Sequence, residues 1–266
     1  MGQFNIKPKM IDISEEGRRI VTWYQYYTDK ELKKFTPGVL GLGRIQKEAV
    51  RIEAVAAIFD LSGFTKFCNQ RDPQLYVPKF MNEFLNWLFN AIKVQMVAME
   101  HENGRLLWSE LPFFAKFMGD GVIFLWDTKR LNEVYLCNIL VSLRNTCIDY
   151  SRIFKVKLKG KFKSVPSKMR CGVARGTVYS IGNGKDFIGP CINLASRLIS
   201  YSNLMFSFSP IGFELKDGMI KETRDNYITK CAYIRGMGQG EEIICINKGD
   251  FDKLSDKEKK VFKDVL

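Results

Sequence analysis

Residues 51–60, RIEAVAAIFD, place a run of apolar side chains directly in front of a carboxylate. A short apolar run of this kind reads as a strand covered on both faces, and Asp60 stands at its end. Gly63 then turns the chain. Residues 77–100 follow as a long amphipathic helix whose apolar stripe includes Phe80, Phe84, Trp87, Leu88 and Ala91. A doubly covered strand followed by a one-sided helix restricts the chain to architectures in which helices pack on a sheet.

The remaining pattern extends that restriction. ENGR makes a turn, and strands at 113–118 and 121–126 meet at Gly119-Asp120 as a tight hairpin with a carboxylate at its tip. Residues 129–153 read as helical, and the lysines of FKVKLKGKFKSVPSK as a solvated loop. A strand over 168–180, a glycine-rich turn (IGNGKDFIG), a helix over 191–202 and strands near 227–235 and 241–247 complete the order. Strand, helix, two strands, helix, strand, helix and strands describe an α+β sandwich of the ferredoxin-like kind, with helices packed on a mostly antiparallel sheet. Residues 1–50 combine helical signals in EEGRRIVTWYQYY with breaks at TPG and GLG, and read as an N-terminal helical and linker arm. The aromatic cluster of that arm, Trp23, Tyr24, Tyr26 and Tyr27, is assigned to packing. The main domain spans 51–247, and 248–266 reads as a short C-terminal helical tail.

Composition narrows the function classes. A 46% hydrophobic content in 266 residues supplies a real core. The net charge of +12, from 41 basic and 29 acidic residues, suits an anionic partner without naming it. Seven scattered cysteines with no CxxC pair read as reduced thiols of a cytoplasmic protein. A single histidine, His101, gives no support to a histidine-based zinc site or histidine catalysis. MGQFNIKPKM lacks a signal-type apolar core, and no apolar stretch reaches membrane-spanning length, so no membrane association is expected.

Two segments carry chemistry. In FDLSGFT, a strand ends in Asp60 and a glycine turn exposes the amides of Gly63, Phe64 and Thr65 at a helix start. Such amides suit a polyphosphate, and the carboxylate suits its Mg2+. In KFMGDGV, Asp120 is flanked by glycines. Taken singly, the first is also explained as a helix cap and the second as a plain turn. Taken together, two strand-end carboxylates on neighbouring strands can bracket two metal ions for an in-line displacement at phosphorus.

These two segments, followed by Ile192-Asn193-Leu194-Ala195-Ser196-Arg197-Leu198, resemble the catalytic domain of class III nucleotidyl cyclases, in order and over roughly residues 51–247. The resemblance implies that Asp60 and Asp120 hold two divalent ions, Mg2+ or Mn2+, with the backbone carbonyl of Leu61 as a further ligand. It implies that Asn193 orients the ribose and Arg197 stabilises charge on the phosphates; residues four apart share a helix face, and a guanidinium fork fits phosphate oxygens. Arg235 falls where the family places a lysine for the triphosphate tail. Lys116 and Asp186 match the positions that read the base. A lysine donor and a carboxylate acceptor address adenine or cytosine, and argue against guanine. Metal ligands and the Asn/Arg helix come from different subunits in the family, which implies a head-to-tail homodimer with shared sites. LLWSELPFFA is interposed ahead of Lys116 relative to the family and adds Trp108, Phe113 and Phe114, either reshaping the base pocket or forming a surface insertion. A nearly solitary cyclase domain is most similar to the stand-alone bacterial pyrimidine cyclases of Pycsar anti-phage systems. Conversion of CTP to cyclic CMP, read by a separate receptor protein, is the preferred expectation, with ATP and cyclic AMP the alternative.

Two rivals differ in class. A degenerate cyclase fold that only senses nucleotide is opposed by the intact set Asp60, Asp120, Asn193 and Arg197. A nucleic-acid-binding role for the 155–170 lysines lacks interleaved aromatics beyond Phe154 and Phe162, so no nucleic-acid partner is expected.

Overall fold

The computed structural model describes residues 9–13, 22–26, 28–101, 104–201, 203–234 and 241–265. The chain divides into two compact units, one of residues 1–50 with 179–188 and a larger one of 51–178 with 189–266.

The smaller unit opens with an antiparallel hairpin, β1 (Lys9–Ile13) and β2 (Thr22–Tyr26), in which Lys9 pairs with Tyr26. The helical reading of EEGRRIVTWYQYY therefore fails over residues 22–26. The β-branched and aromatic residues of TWYQY favour an extended backbone over the helical signal of the preceding EEGRR. A single turn of helix, α1 (Asp29–Leu32), is closed by a capping box between Thr28 and Glu31. The chain then makes a 3-10 turn over Pro37–Leu40, capped by the Thr36 side chain.

The larger unit begins with β3 (Arg51–Ser62), in which residues 54–59 are all buried. Val55, Ala57, Phe59 and Leu61 point into the main core. There they meet Phe80, Phe84, Leu88, Ile92 and Met96 of α3 (Pro73–Met96), which follows the short α2 (Phe64–Cys68). Each such side chain fully buried contributes about 1.5–3 kcal/mol. The long helix ends four residues before the sequence pattern does: β4 (Val97–His101) pairs with β5 (Gly104–Leu107) instead. Val97 opens β4 in an extended conformation as the helix's C-cap, and its β-branch favours that backbone. Next come β6 (Phe114–Phe117) and β7 (Gly121–Asp127), the expected hairpin. Helix α4 (Glu133–Asp149) starts later than 129 because the Asn132 side chain accepts a hydrogen bond from the Tyr135 amide. It runs into a wider π-helical turn over Tyr150–Phe154 and the short α5 (Lys155–Lys157).

Strand β8 (Lys168–Ile181) follows; its last residues pair antiparallel with β9 (Asp186–Ile188) in the smaller unit. Helix α6 (Pro190–Leu198) packs against β3 in the larger unit. Successive side chains of a strand alternate between faces, so the small Ala54 and Ala56 stand opposite the core-facing set. Gly172 makes the close approach of α6 to β8 feasible: a Cβ there would lie 2.2 Å from the Ala195 carbonyl oxygen. After β10 (Phe206–Phe208), the short helices α7 (Leu215–Gly218) and α8 (Lys221–Arg224) lead to β11 (Tyr227–Tyr233) and β12 (Glu241–Asn247). The C-terminal segment forms α9 (Lys248–Asp252), α10 (Asp256–Lys259) and then a strand, β13 (Phe262–Asp264), that pairs with β11. Residues 262–264 of the tail are thus strand rather than helix.

The main sheet runs β13-β11-β12-β10-β8-β3-β7-β6. The β3–β7, β6–β7, β10–β12, β11–β12 and β11–β13 pairs are antiparallel, and β8–β10 is parallel. The fold is α+β with a mostly antiparallel sheet, as the sequence indicates. All seven cysteines are free thiols. Among the described residues no helix is long and apolar enough to cross a membrane.

Candidate active site

Asp60 is the tenth residue of β3, immediately after the fully buried Phe59. The β3–β7 register sets Asp60 opposite Gly121, which places the next residue back, Asp120, at the same corner of the sheet. Two glycines make that corner. Gly119 has φ +89°, which disfavours other residues, and a Cβ at Gly121 would stand 2.4 Å from the Phe59 carbonyl oxygen. The Met118 amide donates to the Gly121 carbonyl at 2.8 Å and closes the turn.

Asp120 feels the charge of its neighbour. Burial, and then the negative charge of Asp60, hold the Asp120 carboxyl above its ordinary range. Burial and the nearby Asp120 likewise push the Cys68 thiol up, so Cys68 borders the site as a neutral group. Asp60 has a partner that the sequence reading missed. Arg170 of β8 donates to its Oδ2 from Nε at 3.1 Å and from Nη2, and the two side chains are only 17% and 20% exposed. A signal was present: Met169, Cys171 and Val173 are apolar and Arg170 interrupts them, and a charge in a core strand requires a partner. Nothing in the sequence says that the partner lies 110 residues earlier.

The acidic groups of this corner are carboxylate oxygens, which suit a hard cation such as Mg2+ or Mn2+. Both Arg170 contacts fall on Oδ2, and no other protein hydrogen bond reaches Oδ1 of Asp60 among the described residues. The repulsion that Asp120 feels from Asp60 is the kind a bound cation relieves. No cluster of three or more His, Cys, Asp or Glu side chains stands ready as a complete cage among the described residues. An ion held by these two carboxylates would complete its shell with oxygens from outside the protein.

The other expected residues lie around this corner or apart from it. Leu61 is buried beside Asp60. Gly63, with φ +85°, is the N-cap of α2, so the Phe64 and Thr65 amides lie in its first turn, free of intrahelical acceptors. Lys116 is half-buried in the edge strand β6, opposite Ile123. Asn193 and Arg197 are both exposed on α6, and neither has a hydrogen bond or ion pair to Asp60 or Asp120 among the described residues. Asp186 belongs to the smaller unit, where it pairs with Ile181 and accepts the Phe187 amide at 2.9 Å. Arg235 lies outside the described residues.

The segment ahead of Lys116 packs on the larger unit. Its Glu110 carbonyl accepts Trp126 Nε1–H at 3.0 Å, and the Trp108 amide donates to the Met96 carbonyl at 2.7 Å. Leu111 and Pro112 close one side of a cavity of about 640 Å³ against Asn86 and Phe89 of α3, while Trp108 and Phe113 remain exposed.

No protein-family profile and no curated protein sequence matches the chain. Solved structures do. The guanylyl cyclase Cya2 superposes with a TM-score of 0.56 at 17% identity, covering 75% of this chain and 93% of that one. A bacterial light-regulated adenylyl cyclase superposes with a TM-score of 0.50 at 13% identity, covering 82% of this chain but only 60% of that one. At these identities the likeness is one of fold: the chain has the fold of a class III cyclase catalytic domain.

Proposed function

We propose that this chain is a nucleotide cyclase, a phosphorus–oxygen lyase that converts a nucleoside triphosphate to its 3′,5′-cyclic monophosphate and pyrophosphate. The observation that carries the reading is the Asp60–Asp120 pair. Two carboxylates on adjacent strands are close enough for one to raise the pKa of the other, in a domain of cyclase fold. Asp60, Asp120 and the Leu61 carbonyl would hold two divalent ions, Mg2+ or Mn2+. Held there, they would supply positive charge beside the polyphosphate and would lower the pKa of the ribose 3′-hydroxyl.

The chain's own residues do the rest. Amides of Gly63, Phe64 and Thr65 face the phosphates at the start of α2. Arg170, already beside Asp60, and Arg235 offer guanidinium groups to the triphosphate. Asn193 orients the ribose so that the 3′-oxygen and the α-phosphorus are in line. The hydroxyl proton passes to solvent water, the O3′–P bond forms, the bond from the α-phosphorus to the bridging oxygen breaks, and pyrophosphate leaves. Arg197 neutralises charge that builds on the phosphate oxygens. Asn193 and Arg197 are exposed and, among the described residues, have no hydrogen bond or ion pair to Asp60 or Asp120, which suits their use by a second copy in a homodimer with shared sites.

For the base, Lys116 as donor and Asp186 as acceptor suit cytosine, so CTP is the preferred substrate and cyclic CMP the product. The sequence resemblance to stand-alone pyrimidine cyclases supports a second-messenger role in anti-phage defence, with a separate protein as receptor. ATP is the second reading, supported by the same donor and acceptor pair. Incubating the protein with all four triphosphates and Mn2+, with mass detection of products, tests both. Cyclic CMP is expected, cyclic AMP selects the second reading, and no pyrophosphate from any of the four removes the enzyme.

A further inference from the structure

The smaller unit carries a feature that the cyclase chemistry does not use. The arm over residues 37–47 lies on the hairpin that joins β8 to β9, and the fit is backbone on backbone. A Cβ at Gly182 would fall 1.6 Å from the Leu42 carbonyl oxygen, so only glycine admits the arm there. A second tie joins the Val50 amide to the Ser180 hydroxyl oxygen at 2.8 Å. Between arm and hairpin lies an open cavity of about 1020 Å³, lined by Arg44, Gln46 and Lys47 from the arm and by Asn183 and Lys185 from the hairpin.

Its charge is one-sided. Arg44, Lys47 and Lys185 line it, and no Asp or Glu does among the described residues. None of the three cations takes part in an ion pair among the described residues. Lys185 reaches across to the arm: its Nζ lies 3.9 Å from where a Gly43 Cβ would be. Gathering like charges in one concavity costs Coulomb energy that an anion recovers. Asn183 sits at φ +65°, a conformation asparagine tolerates, on the cavity wall, and Gln46 adds a second amide able to donate to phosphate oxygens. The volume matches sites that take molecules of nucleotide size.

We propose that this cavity is a second anion site that binds a polyphosphate group, either free or carried by a nucleoside triphosphate. It contains none of Asp60, Asp120, Lys116, Asn193, Arg197 or Arg170, so it stands whether or not the chain cyclises nucleotides. Because Lys185 directly precedes Asp186, an occupied cavity would also hold the hairpin that carries the proposed base reader.

The test uses the full chain in EDTA, with inorganic tripolyphosphate as the first probe and calorimetry as the readout. Binding is expected in the wild type and in Arg170→Ala. It should weaken by at least about tenfold in a Lys47→Glu/Lys185→Glu double variant, the effect of losing one charge-assisted hydrogen bond or more. Each triphosphate is then titrated: affinity equal to tripolyphosphate identifies the free polyphosphate as sufficient, and tighter binding identifies the nucleotide. A measurement without variants follows acetylation of lysines by mass spectrometry, where tripolyphosphate should protect Lys47 and Lys185. Unchanged affinity in the double variant, loss only in Arg170→Ala, or equal labelling with and without tripolyphosphate would overturn the proposal. So would binding of a random single-stranded oligonucleotide in the absence of tripolyphosphate binding.

Discussion

The acidic corner and the outer face of α6 are built in opposite ways. At the corner, Asp60 is held by the ladder between β3 and β7, is 20% exposed, and has its own counter-ion in Arg170. On α6, Asn193 and Arg197 stand exposed on a helix whose buried side is fixed by Cys191, Leu194, Ala195 and Leu198. One group is preorganised within the chain, whereas the other is rigid in its backbone and free at its tips. Under the proposed function the two groups are halves of one shared site, each oriented by packing on its own account. A second copy can bring them together, since a two-fold axis pairs each half with the other copy's complement.

The strongest way to break this comparison is to damage the halves separately. Asp120→Asn should reduce turnover by at least about a thousandfold, since several kcal/mol of transition-state charge stabilisation are lost. Arg197→Ala should do likewise. Mixed in equal amounts, the two inactive proteins should recover about a quarter of wild-type activity, because half the dimers are mixed and each has one intact site of two. No recovery on mixing, measured as pyrophosphate release, breaks the two-halves reading.

A packing change tests whether α6 is rigidly placed. Gly172→Ala puts a methyl group 2.2 Å from the Ala195 carbonyl oxygen, so the helix must move away from β8 or the backbone must strain. A stability loss of about 3 kcal/mol in denaturant titrations is expected, at the upper end for overpacking. A neutral result would mean that α6 shifts freely and that its polar face is not preset.

Arginines on the two sides should also respond differently. Arg170→Met leaves Asp60 as an unpaired carboxylate at 20% exposure and should cost about 2 kcal/mol at neutral pH without metal. Saturating Mn2+ should restore much of that loss in thermal melts by supplying a new counter-ion. Arg197→Met removes an exposed charge that has no ion-pair partner among the described residues and should fall within about 0.5 kcal/mol of wild type. Equal effects would erase the contrast.

Much of this was legible in the sequence, for local reasons. The β3 strand announces itself because covered strands need consecutive apolar residues, and the corner announces itself because its backbone calls for glycine at 119 and 121. The α+β order followed from period alone. What failed depended on distant contacts. The strand at residues 22–26 sat beside strong helix formers, and its pairing with β1 decides the matter. The long helix stops at Met96 because Val97 begins a hairpin with Leu107 opposite it. Residues 262–264 become strand because β11 offers an edge. Arg170 was visible as an oddity, but its partner belongs to a strand on the far side of the chain.

The smallest expected effect is the most specific to the corner. Asp120 has a carboxyl pKa raised above its ordinary 3.8 by burial and by Asp60. A raised acid favours folding in its protonated form. That contribution is complete below pH 3.8 and is lost as the pH rises through the folded-state value. At neutral pH the Asp120 charge therefore works against the metal-free fold, and Asp120→Asn removes it. In EDTA at pH 7 the variant should melt higher than wild type by on the order of 1–3 °C, and the difference should vanish in acid. Addition of Mn2+ should reverse the order, because an ion held by two carboxylates stabilises only the protein that has both. A variant that melts lower in EDTA, or that gains as much from Mn2+ as wild type does, would show that the two carboxylates do not share a cation.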